Sequence, residues 1–171
     1  MRGRVMHVPD IEGLRPTPSR VREALFNIVG DLEGMNMLDL FAGSGVIGLE
    51  SLSRGAKAVT SIEVDRNACQ AMRVVQASWQ VDGWNIQAGK LPQALPHGLH
   101  FDFIFADPPY NKGLAEQVPA WLAKEEISYN MLVIEESSHS RLTWKQGFAP
   151  TKQRKYGAST LYFFEQAMES E

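Results

Sequence analysis

Four consecutive residues, Asp107-Pro108-Pro109-Tyr110, combine a carboxylate, two rigid prolines and an aromatic ring directly after the apolar run 101–106. The prolines restrict the backbone and remove two N–H donors, so carbonyl oxygens are left to accept hydrogen bonds. A carboxylate and a carbonyl can bind both hydrogens of a planar exocyclic amine and turn the nitrogen lone pair out of conjugation. The ring offers a face on which a base can stack. The pattern predicts chemistry on the amino group of a base, with positioning as the main source of rate; a plain strand terminator is the alternative.

A second group of residues surrounds a glycine-rich turn at the end of another apolar run. Asp39 precedes Gly43, Gly45 and Gly48, which are spaced as Gly-x-Gly-x-x-Gly, and a helical pattern follows them. This is the entry unit of a nucleotide-binding α/β sheet. Glu63 ends the next apolar run, where an acidic residue would accept hydrogen bonds from ribose hydroxyls. The turn therefore predicts a ligand that contains a nucleoside.

Two cofactors fit this turn. A nicotinamide dinucleotide carries a pyrophosphate, which favours backbone N–H groups and a helix N-terminus over a carboxylate such as Asp39. S-adenosyl-L-methionine (SAM) carries an ammonium and a sulfonium and no phosphate, so Asp39 would attract it. We rank SAM above the dinucleotide because of Asp39, and because a dehydrogenase usually needs a further substrate domain.

Apolar periodicity predicts the elements that position these residues. Strand-like runs alternate with helical spacings through most of the chain, and the last two runs form a hairpin around 156–158. The predicted strands are 35–41, 58–63, 84–88, 101–106, 131–135, 151–156 and 159–165. The predicted helices are 19–30, 45–54, 66–80 and 113–123, with one helical turn at 91–95.

Strands that alternate with helices indicate right-handed crossovers and a mostly parallel sheet with helices on both faces. The prediction is an α/β fold whose seven-stranded sheet ends in an antiparallel C-terminal hairpin. Because ligands bind outside the carboxyl ends of parallel strands, the glycine turn and residues 107–110 are expected at one edge of the sheet. The 171 residues are expected to form one domain, with a basic N-terminal extension and helix at 1–30 and a catalytic core at 35–165.

The composition is ordinary for a globular protein, with 44% hydrophobic and 22% charged residues. No apolar run reaches the roughly 20 residues that a membrane span needs, and the first residues lack the apolar segment of a signal peptide. A single cysteine excludes an internal disulfide and a zinc cluster, and the four histidines show no metal-ligand spacing. We therefore expect a cytoplasmic protein with no metal and no membrane partner.

Charge is distributed unevenly along the chain. Residues 1–22 carry five arginines and two acidic residues, and residues 137–164 carry five basic residues and no acidic one. Residues 23–136 contain seven basic and fifteen acidic residues. Basic ends around an acidic centre indicate either a basic rim for a polyanion or scattered solvated charges. The basic residues of 152–155 allow the same choice, since charges on an edge strand also prevent aggregation.

These motifs together resemble one known family. Residues 107–110 are similar to the (Asn/Asp)-Pro-Pro-(Tyr/Phe) motif of class I amino-methyltransferases. Combined with LRPTPSRVREALFN at 14–27 and DLFAGSG at 39–45, they resemble the RsmD family, bacterial SAM-dependent enzymes that methylate guanine N2 in 16S ribosomal RNA (rRNA). The resemblance extends from Arg2 to about Glu165. It implies a Rossmann-like class I methyltransferase fold and, as partner, 16S rRNA or an assembly intermediate of the small ribosomal subunit.

The resemblance also implies roles for individual residues. Asp107 and the Pro108 carbonyl would hold the target amine, with Pro109 fixing the turn and Tyr110 against the base. The residues implied at SAM are Asp39, Phe41, Ala42, Gly43, Ser44, Gly45, Glu63 and Val64. The residues implied at the RNA are Arg15, Arg20, Arg22 and Tyr110.

The chain departs from the family pattern at the end of the third predicted strand. Related enzymes have an Asn or Asp there that meets the adenine amine, whereas this sequence has Gln87-Ala88-Gly89. We therefore expect backbone groups to recognise the adenine of SAM. Similar enzymes also carry a longer strand ahead of the segment 2–4.

Three other functions stay open on the sequence. A DNA adenine-N6 or protein-glutamine methyltransferase would share the Pro-Pro motif, but it needs a recognition domain that 171 residues hardly accommodate. A non-enzymatic RNA-binding module would use the basic ends and would have no need for Asp107. A small NAD-dependent reductase would use the glycine turn alone.

Overall fold

The computed structural model describes residues 19–166, which contain seven strands and four α-helices. The strands are β1 (Asn36–Leu40), β2 (Ala58–Glu63), β3 (Trp84–Ala88), β4 (His100–Ala106), β5 (Ser128–Ser137), β6 (Lys152–Tyr156) and β7 (Ser159–Glu165). The helices are α1 (Ser19–Val29), α2 (Val46–Ser53), α3 (Arg66–Ser78) and α4 (Val118–Lys124), and a 3₁₀ segment, Ala115–Gln117, precedes α4.

The strands form one seven-stranded sheet in the order β3-β2-β1-β4-β5-β7-β6. β1 pairs in parallel with β2, β2 with β3 and β4 with β5, whereas β7 runs antiparallel to both β5 and β6. The prediction of a mostly parallel sheet that ends in an antiparallel C-terminal hairpin is therefore confirmed.

The chain divides into two compact units, Met1–Ala94 (unit 1) and Leu95–Glu171 (unit 2). Among the residues that the structure describes, unit 1 contains α1 to α3 with the parallel strands β1 to β3, and unit 2 contains α4 with β4 to β7. The expectation of one domain over 1–171, with an extension at 1–30 and a core at 35–165, stays a prediction.

Unit 1 is built on strands that are buried along most of their length. Residues 37–40 of β1 are all buried, and Val59 and Ile62 of β2 have no exposed surface. Near-continuous apolar runs of this kind are typical of parallel strands covered on both faces. Helix α3 begins after Asp65, whose carboxylate accepts hydrogen bonds from two N–H groups of the first turn, at 2.8 and 3.0 Å. This N-cap supplies an acceptor to groups that have none within the helix.

Unit 2 is built around the apolar strands β4, β5 and β7. Ile104, Leu132 and Phe163, one from each strand, have no exposed surface. The β6–β7 hairpin turns at Gly157, whose φ of 60° lies in the left-handed region that glycine adopts most readily. Since β6 pairs only with β7, it forms an edge of the sheet.

Three strands have the bounds that the sequence pattern predicts, two in unit 1 and one, at 159–165, in unit 2. The strands predicted at 58–63 and 84–88 have those bounds in the structure. The helical turn predicted at 91–95 is an isolated turn, closed by a 2.9 Å hydrogen bond from the Ala94 N–H to the Lys90 carbonyl, and no helix forms there.

The prediction of one helix over 113–123 is wrong in its first part. Residues 115–117 form the 3₁₀ segment, and α4 starts only at Val118. Pro119 explains the late start, because proline lacks an N–H group and fits an α-helix only in the first turn. Strand β5 is also longer than the predicted 131–135.

Candidate functional site

The glycine turn of unit 1 has a conformation that requires glycine at Gly45. Its φ is 79°, and the Gly45 N–H donates to the Ala42 carbonyl at 2.8 Å as α2 begins. A Cβ atom at Gly45 would lie 2.5 Å from Met72 Sδ and 2.7 Å from a ring carbon of Trp84. Both the backbone angle and the packing therefore exclude a side chain. Gly45 therefore allows the turn to pack against Met72 of α3 and Trp84 of β3.

Gly48 brings helix α2 close to the two central strands of unit 1. A Cβ atom there would lie 2.9 Å from Ser61 Oγ, 3.0 Å from Val59 Cγ1 and 3.2 Å from Asp39 Oδ2. The third glycine of the motif thus serves helix–sheet packing.

Asp39 lies at the centre of a buried hydrogen-bonded network. It is 1% exposed, and its Oδ2 accepts a hydrogen bond from Ser61 Oγ at 3.2 Å. The Trp84 indole N–H donates in turn to Ser61 Oγ at 3.0 Å. Burial raises the pKa of Asp39 from 3.8 to about 7, although hydrogen bonds from Ser61 and the Gly48 N–H lower it. The Asp39 carboxyl therefore links β1 to β2 and to helix α2, and it has almost no exposed surface.

Glu63 joins the end of β2 to the glycine turn. Its Oε2 accepts a hydrogen bond from the Gly43 N–H at 2.6 Å, and its Oε1 accepts one from the Asp65 N–H at 3.0 Å. A carboxylate oxygen can accept two hydrogen bonds, so each oxygen keeps capacity for a hydroxyl group. Glu63 therefore stabilises the turn and can still accept hydrogen bonds from ribose.

The remaining residues expected at the cofactor lie on or next to this turn. Phe41, Ala42 and Ser44 are half-buried, and Phe41 has an unusual positive φ of 56°. Val64 is 63% exposed, an apolar side chain next to Glu63 that is open to a flat ligand. The Gln87 side chain instead donates to the Ala94 carbonyl at 3.1 Å. The expectation that backbone groups bind the adenine stays a prediction.

The Asp107–Tyr110 corner follows β4 directly in unit 2. Asp107 and Tyr110 are half-buried, Pro108 is buried and Pro109 is exposed. The Tyr110 hydroxyl lies 2.9 Å from Glu135 Oε1 and 3.0 Å from Ser159 Oγ. Burial raises the pKa of Tyr110 above its ordinary value, with the charges of Glu135 and Asp107 adding to the effect. The tyrosine is thus neutral, with a hydroxyl bonded within unit 2.

Several polar residues at these sites are not identified by the sequence reasoning. In unit 1 these are Ser61 and the Trp84 indole, which belong to the hydrogen-bonded network of Asp39. In unit 2 they are Glu135 and Ser159. The one signal for Glu135 is that two acidic residues, 135 and 136, follow directly on an apolar run. Ser159 gives no signal, because its role depends on how β7 pairs with β5.

The arginines implied at the RNA have different surroundings. Arg20 is exposed at the start of α1, whereas Arg22 Nε lies 2.9 Å from Glu50 Oε2. Arg54 pairs with the same carboxylate at 3.0 Å. Arg15 lies outside the described residues. Contact of these arginines with RNA stays a prediction, and at Arg22 it would compete with an ion pair.

Residues 19–166 show neither a metal site nor a membrane-spanning helix. They contain no group of three or more His, Cys, Asp or Glu side chains that could hold a metal ion. Over the same stretch, every helix is too short or too polar to cross a membrane.

Comparison with known proteins gives the family. The model of the family described as conserved hypothetical protein 95 matches residues 1–165. Ribosomal RNA small subunit methyltransferase D of Escherichia coli K12 is 39% identical over 140 residues, which are 75% of this chain and 69% of that protein. The protein of the same name from Haemophilus influenzae is 37% identical over 150 residues, covering 82% and 76% of the two chains.

Solved structures agree with this result. The structure of yhhF from Escherichia coli superposes with a TM-score of 0.83 at 30% identity, over 96% of this chain and 93% of that one. An RNA methyltransferase from Salinibacter ruber in complex with S-adenosyl-L-homocysteine, at 17% identity and a TM-score of 0.70, shares the fold. The chain therefore belongs to the RsmD family of class I, SAM-dependent methyltransferases.

Proposed function

We propose that this enzyme transfers a methyl group from SAM to the exocyclic N2 of a guanine in 16S rRNA. The observation that carries the proposal is the 39% identity to a protein named ribosomal RNA small subunit methyltransferase D, over 69% of that protein's length. The guanine N2 position follows from the resemblance of the three sequence motifs to the RsmD family. The substrate is 16S rRNA, free or within an assembly intermediate of the small subunit, and the enzyme acts in the cytoplasm.

Unit 1 carries the residues we assign to SAM. The turn carries glycines with positive φ at Gly43 and Gly45, Glu63 keeps acceptor capacity for the ribose hydroxyls, and Val64 offers an apolar surface to the adenine. Asp39 precedes the turn, and its carboxyl group, when ionised, attracts the ammonium and sulfonium groups. These features favour SAM over a dinucleotide, whose pyrophosphate Asp39 would repel.

Unit 2 carries the residues we assign to the target base. The Asp107 carboxylate and the Pro108 carbonyl accept hydrogen bonds from the guanine amino group, and the Tyr110 ring stacks on the base. Held in this way, the nitrogen lone pair is turned toward the incoming methyl group. Bound SAM would supply a methyl group activated by its sulfonium: the carbon–sulfur bond would break as the nitrogen–carbon bond forms, with a neutral thioether as the leaving group. Asp107 or water then accepts the surplus proton.

The basic ends of the chain support a polyanionic substrate. Edge strand β6 carries Lys152, Arg154 and Lys155, of which the last two are exposed. Within residues 19–166 no carboxylate lies within ion-pair distance of these three side chains. Unpaired cations are available to RNA phosphates, which release counterions on binding. We assign β6 to RNA contact, together with Arg20.

The competing functions make different demands on the chain. A DNA adenine-N6 or protein-glutamine methyltransferase would use Asp107 in the same way on another amine. A reductase would bind NAD at the glycine turn, and an RNA-binding module would leave Asp107 without a role. Isothermal titration calorimetry with SAM and NAD side by side separates the reductase, since we expect heat with SAM only.

The proposal is tested by mass spectrometry of rRNA nucleosides from cells that lack the gene. We expect one N2-methylguanosine to disappear from 16S rRNA and to return with the wild-type gene, but not with an Asp107→Ala gene. Unchanged N2-methylguanosine would remove the rRNA assignment. Loss of N6-methyladenine from DNA, or of methylglutamine from a protein, would favour the alternative substrates.

A further inference from the structure

The hydroxyl of Tyr110 is held by residues from two other strands of unit 2. It donates to Glu135 Oε1 on β5 at 2.9 Å and lies 3.0 Å from Ser159 Oγ, at the start of β7. With Ser159 as donor, the hydroxyl gives one hydrogen bond and accepts another. No donor is then left on Tyr110 for a substrate, so the residue can offer only its ring.

The hydrogen-bond acceptor for the Tyr110 hydroxyl, Glu135, is a buried carboxyl group, which is unusual. It is 1% exposed, and among residues 19–166 its buried Oε2 has no hydrogen-bond partner. Burial raises the pKa of Glu135 above its ordinary value. A buried carboxyl oxygen without a partner destabilises the folded state, and it is a reason to look for a function.

The Tyr110 contacts restrict the Asp107–Tyr110 loop at its second end. Asp107 lies three residues before Tyr110, with Pro108 and Pro109 between them. The prolines restrict the backbone from within, and the hydroxyl contacts fix the far end of the loop to β5 and β7. Those two strands are themselves paired, with Ser137 opposite Ser159 and Glu135 opposite Leu161. The loop is therefore attached at both ends to one rigid part of unit 2.

We propose that Glu135 and Ser159 are positioning residues, which lock the Asp107–Tyr110 loop in the conformation that receives the target amine. They act through the Tyr110 hydroxyl and touch neither the base nor SAM. This inference rests on the proposed function, because it assigns the source of rate within the same site. Small displacements of a positioned group have large effects on rate.

A hydrogen-bonding role and a charge role at Glu135 are separated by two substitutions. Glu135→Gln keeps an oxygen that accepts the hydrogen bond from Tyr110 and replaces the oxygen that has no partner by an NH2 group. Glu135→Leu keeps the volume and removes the acceptor. We expect Glu135→Gln to keep kcat within about threefold of wild type and Glu135→Leu to lower it about tenfold or more, with the KM for SAM unchanged in both. Equal losses in the two variants would overturn the proposal, because they would assign the effect to charge.

A matched pair on β7 controls for loss of stability. Ser159→Ala removes a buried hydroxyl that contacts Tyr110, and Thr160→Val removes one that contacts Ser138 Oγ at 2.9 Å instead. Both should lower the thermal midpoint of unfolding by similar amounts, and only Ser159→Ala should lower kcat, by about threefold to tenfold. Equal kcat values in the two variants would contradict a positioning role. This pair also gives an answer if Glu135→Leu does not fold.

A double-mutant cycle in kcat is the closing test. Tyr110→Phe keeps the ring and removes the hydroxyl through which Glu135 is proposed to act. In the Tyr110→Phe background, Glu135→Leu should therefore lower kcat no further, whereas additive losses would overturn the inference. If the wild-type enzyme is active and the Glu135→Leu and Ser159→Ala variants have the same kcat as wild type, the positioning role is rejected and the proposed function stands. Absence of transfer by the wild-type protein would overturn the proposed function itself, and the positioning role with it.

Discussion

Each unit of the molecule contains a buried glutamate at or near the carboxyl end of a strand, and the two are held differently. Glu63 of unit 1 accepts hydrogen bonds from two backbone N–H groups, one on each carboxylate oxygen. Glu135 of unit 2 accepts from the hydroxyl of Tyr110, and its second oxygen has no hydrogen-bond partner within residues 19–166. The cofactor turn is therefore shaped by main-chain donors, and the Asp107–Tyr110 loop is held by side chains.

The difference determines which substitutions can damage each site. A main-chain donor is present for every residue except proline, so the turn is sensitive mainly to changes that move its backbone. The loop of unit 2 depends on individual carboxyl and hydroxyl groups, which single substitutions remove. We expect the most damaging substitutions to be at glycines in unit 1 and at polar side chains in unit 2.

The largest effect is expected from Asp107→Ala in unit 2. Removal of the carboxylate takes away an acceptor for the target amine, and kcat should fall about 10³-fold. The affinity for SAM, measured by calorimetry, should stay within about twofold, because the cofactor residues lie in unit 1. Asp107→Asn, which keeps one acceptor oxygen and agrees with the family motif, should retain more activity. Loss of SAM binding in Asp107→Ala would contradict the division of roles.

The next largest effect is expected from Gly45→Ala in unit 1. The added Cβ is strained by the φ of 79° and would contact Met72 and Trp84, so the free energy of unfolding should fall by about 2–4 kcal/mol. Weaker SAM binding should accompany this loss. Gly34→Ala is the matched control, since its φ is 74° with no atom within 4 Å of the added Cβ. Denaturant titration should show about 1 kcal/mol for the control, with SAM affinity unchanged; equal losses would exclude the packing explanation.

A pH-dependent effect is expected at Asp39. Burial raises its pKa from 3.8 to about 7, so the folded state binds a proton that the unfolded state has released between these values. The corresponding stability is fully present below pH 3.8 and is lost as the pH rises through about 7. The Asp39→Asn variant cannot lose this stability, because its amide does not titrate. Its free energy of unfolding, minus that of wild type, should therefore rise by about 2–3 kcal/mol between pH 5 and pH 8. Parallel pH profiles for the two proteins would show that Asp39 is not the titrating group.

The smallest effect is expected from Glu63→Gln. The amide would place an N–H donor opposite one of the two backbone N–H donors, so one of the hydrogen bonds that shape the turn would be lost. The affinity for SAM should therefore fall about tenfold. Glu135→Gln is the matched change in unit 2 and should leave SAM affinity unchanged. Similar SAM affinities for the two variants would remove the contrast between the two glutamates.

The sequence predicts these sites unequally. Long apolar runs fix strands such as β2 and β3, and glycine spacing together with the Pro-Pro corner identifies both motifs. The 3₁₀ segment before α4 is not predicted, because apolar periodicity does not show at which residue the α-helix starts. Pro119 determines that start. The contact of Tyr110 with Ser159 cannot be predicted, since it depends on a strand register across 49 residues of sequence. Arg22 illustrates the same limit, because its ion pair with Glu50 is a tertiary contact.

The division between a cofactor unit and a base-binding corner is tested most directly by one reconstituted reaction. Purified wild-type protein and its Asp107→Ala variant are each incubated with methyl-labelled SAM and small ribosomal subunits from cells that lack the gene. Nucleoside mass spectrometry should find the label in N2-methylguanosine with the wild type only, although calorimetry gives both proteins the same SAM affinity. Label in another nucleoside, equal transfer by the two proteins, or no transfer by a wild-type protein that binds SAM would contradict the account.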